Sequence, residues 1–201
     1  MIISPKYDFV YFATMKTGSS SISSILSELN DPELKNFEYD KNDPMIDDSY
    51  DKKYFKHTTS YELNEKKYEN YFKIAFVRNP WDRVLSWFFF YGRCEVRVDL
   101  ISKNETFNEF ILNKSRSYRW GGENQSQYNF TKCCDFIGRY ENLQEDFNTI
   151  CDKIKIPKQQ LPHINKTKHK SYTEYYDEET KSIVAEMYSK DIEYFDYEFG
   201  N

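Results

Sequence analysis

A lysine, a glycine and three serines stand where an apolar run gives way to a helical pattern. The segment is Ala13-Thr14-Met15-Lys16-Thr17-Gly18-Ser19-Ser20-Ser21. Phe9-Val10-Tyr11-Phe12 before it reads as a buried strand. Ile22, Ile25, Leu26 and Leu29 after it keep the i, i+3, i+4, i+7 spacing of a helix. A strand-to-helix turn aims free main-chain N–H groups at one point, and the helix dipole adds partial positive charge there. That chemistry suits phosphate or sulfate. Gly18 lets the backbone approach the anion, the serine hydroxyls donate, and Lys16 brings a full charge. An ordinary helix start, capped by Ser19 or Ser20 with Lys16 in solvent, is the other reading of the same residues.

A second segment carries a second anion grip. Phe72-Lys73-Ile74-Ala75-Phe76-Val77 is strand-like, and Arg78-Asn79-Pro80-Trp81-Asp82-Arg83-Val84-Leu85-Ser86-Trp87 follows at once. Pro80 ends a strand but is tolerated in the first turn of a helix, which makes Asn79 the expected N-cap. Arg78 then stands at the carboxyl end of a strand, the edge where open α/β sheets bind ligands. Its planar fork suits a phosphate, and Ser86 lies one to two turns into the helix as a further donor. Local pairing of Arg78 with Asp82 is the competing reading.

Together these two segments resemble the nucleotide-binding elements of sulfotransferases that use 3′-phosphoadenosine 5′-phosphosulfate (PAPS). Lys16-Thr17-Gly18-Ser19-Ser20 is similar to the family's 5′-phosphosulfate loop, and Phe76 to Ser86 to its 3′-phosphate element. The resemblance is closest to the branch of the carbohydrate sulfotransferases and their soluble bacterial relatives. Asp135-Phe136-Ile137-Gly138-Arg139-Tyr140-Glu141-Asn142-Leu143, Leu161-Pro162-His163-Ile164-Asn165-Lys166 and Asp191-Ile192-Glu193-Tyr194-Phe195 also fit that branch. The likeness runs from near residue 8 to near residue 199. It implies an α/β, three-layer P-loop-like fold with a central parallel sheet flanked by helices, in one domain over residues 1–201.

The resemblance also implies a reaction. A sulfuryl group moves in line from PAPS to an acceptor hydroxyl, leaving adenosine 3′,5′-bisphosphate. Lys16, Thr17, Gly18, Ser19, Ser20, Arg78 and Ser86 are the cofactor-binding residues on this reading. Lys16 also stabilises charge on the leaving phosphate. The acceptor must lose a proton, and His57, in Tyr54-Phe55-Lys56-His57-Thr58-Thr59, is the expected base, with Glu62 as the carboxylate alternative. His163 and His169 are the remaining histidines of three. Trp120-Gly121-Gly122-Glu123-Asn124-Gln125-Ser126-Gln127-Tyr128 is similar to a stretch along the family's acceptor cleft. Gln125 and Gln127 are therefore the expected acceptor-binding residues, for a carbohydrate or other hydroxyl-bearing partner. No metal is expected, because protein groups neutralise the phosphates.

Two rival classes use the same features. A P-loop kinase or NTPase would read Gly-x-x-x-x-Gly-Lys-Ser/Thr. Here the lysine precedes the glycine. A noncatalytic nucleotide-binding protein would keep both grips without turnover.

The elements that must position these residues follow from the hydrophobic pattern. Strands are expected near 8–13, 72–77 and 134–138. Helices are expected near 19–29, 61–70, 80–92, 105–114, 142–153 and 173–189. Residues 30–56 read as a polar insertion and 115–130 as a loop. Alternating strands and helices point to a parallel sheet.

Composition is that of a small enzyme. The chain has 201 residues, 39% hydrophobic, with 18 Tyr and 16 Phe carrying much of the core. A net charge of −5 disfavours a nucleic-acid or general polyanion binder, although Lys166, Lys168, His169 and Lys170 cluster. No apolar run spans a membrane and no signal peptide is evident, so a cytoplasmic location is expected. Sequons at Asn104, Asn113, Asn124, Asn129 and Asn165 read as chance in a chain of this makeup. The four cysteines (Cys94, Cys133, Cys134, Cys151) lack zinc-site spacing and are expected as packed thiols.

Overall fold

The computed structural model describes residues 1–31, 66–92, 105–113, 126–164 and 169–201. Two compact units emerge: Met1–Val77 with Phe130–Asn165, and Arg78–Asn129 with Lys166–Asn201. The architecture is α/β, with a four-stranded, mostly parallel sheet flanked by helices.

The first unit holds the sheet, in the order β1 (Ile2–Ser4), β2 (Phe9–Phe12), β3 (Phe72–Val77) and β4 (Phe136–Arg139). β2 pairs parallel with β3 from Phe9↔Phe72 to Phe12↔Ala75, and β3 pairs parallel with β4 from Ile74↔Phe136 to Val77↔Arg139. β1 pairs antiparallel with β2, an edge strand the hydrophobic pattern did not announce. Three residues are too few to show a period. The main chain of Ile3 is completed from outside the sheet: its N–H donates to Asn30 Oδ1 at 2.9 Å, and its carbonyl accepts from Asp31 N at 2.7 Å. That protects an edge otherwise open to pairing.

Side chains alternate across this sheet as strand geometry requires. Phe9, Tyr11, Ile74 and Phe76 share one face with Ile22 and Leu26 of α1 (Ser19–Leu26) and Phe147, Ile150, Cys151 and Ile154 of α5 (Leu143–Ile154). Val10, Phe12 and Ala75 share the other with Ile3 and Tyr68. Burial on both faces explains why β2 and β3 read as unbroken apolar runs. α1 is shorter than the expected 19–29 and tightens into a 3₁₀ turn over Ser27–Leu29. α5 ends at Lys155 in the left-handed conformation, φ 58°, just ahead of Ile156-Pro157.

The second unit is helical. It contains α2 (Pro80–Gly92), α3 (Phe107–Leu112), α6 (Glu178–Met187), α7 (Ser189–Phe195) and the first three residues of α4 (Gln127–Thr131). α2 spans its expected 80–92. Asn79 caps it: Asn79 Oδ1 accepts from Trp81 N at 3.2 Å, and Pro80 occupies the first helical position. Aromatic edges hold the unit together. Phe88 meets Phe107 and Phe110, Phe107 meets Tyr176, and Phe199 meets Trp81, Tyr172 and Tyr176. The single helix expected over 173–189 is instead a 3₁₀ turn (Tyr172–Glu174) and then α6 and α7, parted at Tyr188.

Among the described residues, no helix is long and apolar enough to cross a membrane, and no cluster of His, Cys, Asp and Glu could hold a metal. Cys133, Cys134 and Cys151 are free thiols; Cys151 is packed as expected, whereas Cys133 is exposed, and burial pushes the Cys134 thiol well up. Cys94 lies outside the described residues.

A capping box starts α6. Asp177 accepts from Thr180 N, and Thr180 Oγ1 accepts from Asp177 N. The Thr180 hydrogen bonds hold the Asp177 carboxyl below its ordinary value. A carboxyl depressed in the folded state stabilises fully above its unfolded pKa, about 3.9, and loses this contribution as pH falls through the depressed value. Asp177→Ala is therefore expected to be less stable than the parent at neutral pH. The gap in urea midpoints should narrow below about pH 4. A gap constant from pH 7 to pH 3 would contradict this.

Candidate functional site: two anion grips after parallel strands

Parallel pairing sends the segments after β2 and β3 out of the sheet at the same edge, their carboxyl ends. The first of these segments is the turn from Ala13 to Gly18. Two of its residues have left-handed backbone, Lys16 at φ 65° and Gly18 at φ 79°. For a lysine this conformation is uncommon and strained, as is typical of functional turns. Gly18 is the N-cap of α1 and offers no side chain to the orphan N–H groups. Its carbonyl takes Ser21 N at 3.0 Å and Ile22 N at 3.3 Å. The N–H groups of Ser19 and Ser20 have no hydrogen-bond partner among the described residues.

Further observations fit an anion here. A Cβ at Gly18 would fall 2.9 Å from Leu143 Cδ2 and 3.3 Å from Tyr140 Cδ2, so a side chain there would press on Leu143, and the left-handed backbone favours glycine in any case. The Thr14 hydroxyl, buried at the root of the turn, has no hydrogen-bond partner among the described residues. No acidic side chain lies in the first turn of α1. Lys16 and Ser20 are partly exposed, whereas Ser19 is 7% exposed. Thr17 is buried, and its hydroxyl donates to the Thr14 carbonyl at 2.9 Å, which shapes the turn from within. Ser21 Oγ accepts from Ile164 N at 3.4 Å. Tyr140 and Leu143, which fit the family likeness in sequence without a stated role, form the back of the turn.

The second segment begins at Arg78, peptide-bonded to the last residue of β3. Arg78 is only 6% exposed. Its Nε and Nη2 both contact Asp82 Oδ2 at 2.8 Å. The expected local pair therefore exists, and it fixes the direction of a fork with five donors. Ser86 lies one further turn along α2, partly exposed. Spacing of four residues aligns Asp82 and Ser86 on one side of the helix.

Other expected site residues fare differently. Gln127 was expected along an acceptor cleft. It is fully buried instead, with both carboxamide atoms bonded to the main chain of Arg78 at 2.8 Å. His57, Glu62 and Gln125 lie outside the described residues. His163 is exposed, and His169 stacks on Phe89 at 5.1 Å with its Nδ1 2.7 Å from the Lys170 carbonyl.

Comparison with known proteins settles the family. The chain matches the family described as "Sulfotransferase family" over residues 1–198. The chain belongs to the sulfotransferase family. Human carbohydrate sulfotransferase 9 is 26% identical over 222 residues, covering 94% of this chain and 47% of the human protein. The chain thus spans about half the length of that relative. An uncharacterized protein of Archaeoglobus fulgidus is 30% identical over 115 residues, covering 55% of this chain and 89% of its own length. No solved structure matches. Family membership makes this protein a transferase.

The turn of this sulfotransferase can be tested by stability alone. Gly18→Ala is expected to cost about 1–2 kcal/mol for its left-handed backbone, with a further penalty from Leu143. Ser20→Ala, at a partly exposed position, should stay within about 0.5 kcal/mol. Urea unfolding of both variants measures this, and equal effects would contradict the cradle.

Proposed function

We propose that this sulfotransferase uses PAPS and sulfates a hydroxyl of a carbohydrate acceptor. The observation that carries the reading is the pair of anion grips that follow neighbouring parallel strands, Lys16–Ser20 and Arg78 with Ser86. One such grip suits any phosphate; two suit a ligand phosphorylated at both ends of a nucleoside. The Ser19 and Ser20 N–H groups, without a partner among the described residues, and the left-handed Gly18 that starts the helix support the first. The Arg78 fork, braced by Asp82, supports the second. The name of the human relative supports the acceptor class.

Bound there, the cofactor supplies the sulfuryl group and accepts the electron pair of the broken bond. The Ser19 and Ser20 N–H groups and the Lys16 ammonium donate to the 5′-phosphate oxygens, where negative charge grows as the bond breaks. Thr17 and Gly18 hold the turn in shape. Arg78 and Ser86 fix the 3′-phosphate through charge-assisted hydrogen bonds. His57 takes the acceptor's proton, with Glu62 as the alternative, and Gln125 contacts the acceptor. These residues neutralise the phosphates without a metal.

Adenosine 3′,5′-bisphosphate, without Mg²⁺, is expected to raise the melting temperature much more than ADP does, because stabilisation follows affinity for the native state. Equal shifts would remove the 3′-phosphate assignment. Mg²⁺-dependent ATP hydrolysis would favour a kinase-like enzyme instead.

Turnover tests the base. His57→Ala is expected to lose activity by ~10²–10⁴-fold while binding adenosine 3′,5′-bisphosphate as the parent does. His163→Ala and His169→Ala should keep more activity. Full activity of His57→Ala would move the role to Glu62.

A further inference from the structure

We propose that Gln127 and Asp191 are positioning residues that set the 3′-phosphate grip by clamping the main chain of Arg78. The inference rests on the reading of Arg78 as the 3′-phosphate ligand.

The need for a clamp follows from the chain. Arg78 is the first residue after β3, and Pro80 stops the strand from continuing. Its main-chain N–H and C=O lie in a buried position just past the end of the strand, and such groups must be satisfied. Gln127 does both jobs. Its Oε1 accepts from Arg78 N at 2.8 Å and its Nε2 donates to Arg78 O at 2.8 Å. One carboxamide thereby imitates the two-bond exchange of a neighbouring strand. With its backbone held and its side chain braced by Asp82, Arg78 has little freedom left.

Gln127 is itself held. It opens α4, a helix of five residues that has little stability of its own. Asp191, at the start of α7 and 1% exposed, caps that helix. Its Oδ1 accepts from Ser126 Oγ at 2.8 Å and Tyr128 N at 3.0 Å, and its Oδ2 accepts from Gln127 N at 2.8 Å. A chain of polar contacts therefore runs from α7 through α4 to Arg78. Neighbouring Asn79 is fixed separately, its Nδ2 donating to the carbonyls of Glu198 at 2.8 Å and Asn201 at 2.9 Å. The Arg78-Asn79 step is thus held by side chains on both residues.

A positioning role predicts ligand-selective damage. Adenosine 3′,5′-bisphosphate and adenosine 5′-phosphosulfate, which lacks the 3′-phosphate, are titrated by calorimetry into the full chain. Gln127→Leu is expected to weaken the bisphosphate by roughly tenfold, the equivalent of one or two lost hydrogen bonds. Adenosine 5′-phosphosulfate should change by less than about twofold, the backbone of the 5′ turn being untouched. Gln127→Glu keeps the shape but sets a carboxylate oxygen against the Arg78 carbonyl, and Asp191→Asn removes one acceptor of the cap. Both should show the same selectivity with smaller losses, which keeps the test open if Gln127→Leu folds poorly. In an Arg78→Ala background, Gln127→Glu should have no further effect on the bisphosphate.

Equal losses for the two ligands, or a loss that adds fully to that of Arg78→Ala, would overturn the positioning role. In that case the parent still prefers the bisphosphate and the 3′-phosphate reading stands. If the parent binds both ligands alike, the 3′-phosphate reading fails and this proposal falls with it.

Discussion

The parallel ladder between β2 and β3 is the contact on which the proposed chemistry of this protein depends. Its register, from Phe9↔Phe72 to Phe12↔Ala75, fixes where two separated stretches of chain leave the sheet. An antiparallel pairing would put the turn after Phe12 and the residue after Val77 at opposite edges. The ladder is secured by burial rather than by hydrogen bonding alone. Phe9, Tyr11, Ile74 and Phe76 pack under α1 and α5, and Val10, Phe12 and Ala75 fill the opposite face. Each fully buried side chain of this size contributes ~1.5–3 kcal/mol, and a slip of one residue would exchange the two faces.

Backbone conformation then does what side chains of the first turn do not. Gly18 has no side chain to cap α1, and the Ser19 and Ser20 N–H groups remain available. Left-handed φ at Lys16 and Gly18 costs stability locally. The surrounding core over-determines that shape, with Leu143 and Tyr140 set against Gly18 and the Thr17 hydroxyl bonded to Thr14. The second grip is built on the opposite principle. Arg78 is buried and charged, so it requires a carboxylate partner and satisfied main-chain groups. Asp82 and Gln127 supply these, and the aromatic packing of Trp81, Tyr176 and Phe199 anchors the start of α2.

What was legible in the sequence had a local cause. β3 and α2 were readable because an apolar run ends at Asn79-Pro80, two residues whose backbone preferences leave one interpretation. The strand-turn-helix around Gly18 was readable for the same reason. β1 was not, because three residues carry no period, and the bonds from Asn30 and Asp31 that complete its outer main chain come from far along the chain. The break between α6 and α7 escaped notice because no Gly or Pro marks Tyr188. Gln127 showed only its residue type; its partners lie 49 residues away on Arg78, and its cap lies 64 residues away at Asp191. Long-range polar pairing leaves no pattern in a single sequence. The fragment Asp191-Ile192-Glu193-Tyr194-Phe195 was visible as part of the family likeness, yet its capping role required coordinates.

One experiment bears directly on the claim that the two grips serve one ligand: a crystal structure of the protein with adenosine 3′,5′-bisphosphate. The account predicts a single bound nucleotide. Its 5′-phosphate oxygens should lie within about 3 Å of the Ser19 and Ser20 N–H groups, and its 3′-phosphate should sit on the Arg78 guanidinium. A nucleotide with its two phosphates exchanged, or with the 3′-phosphate in solvent, would contradict it.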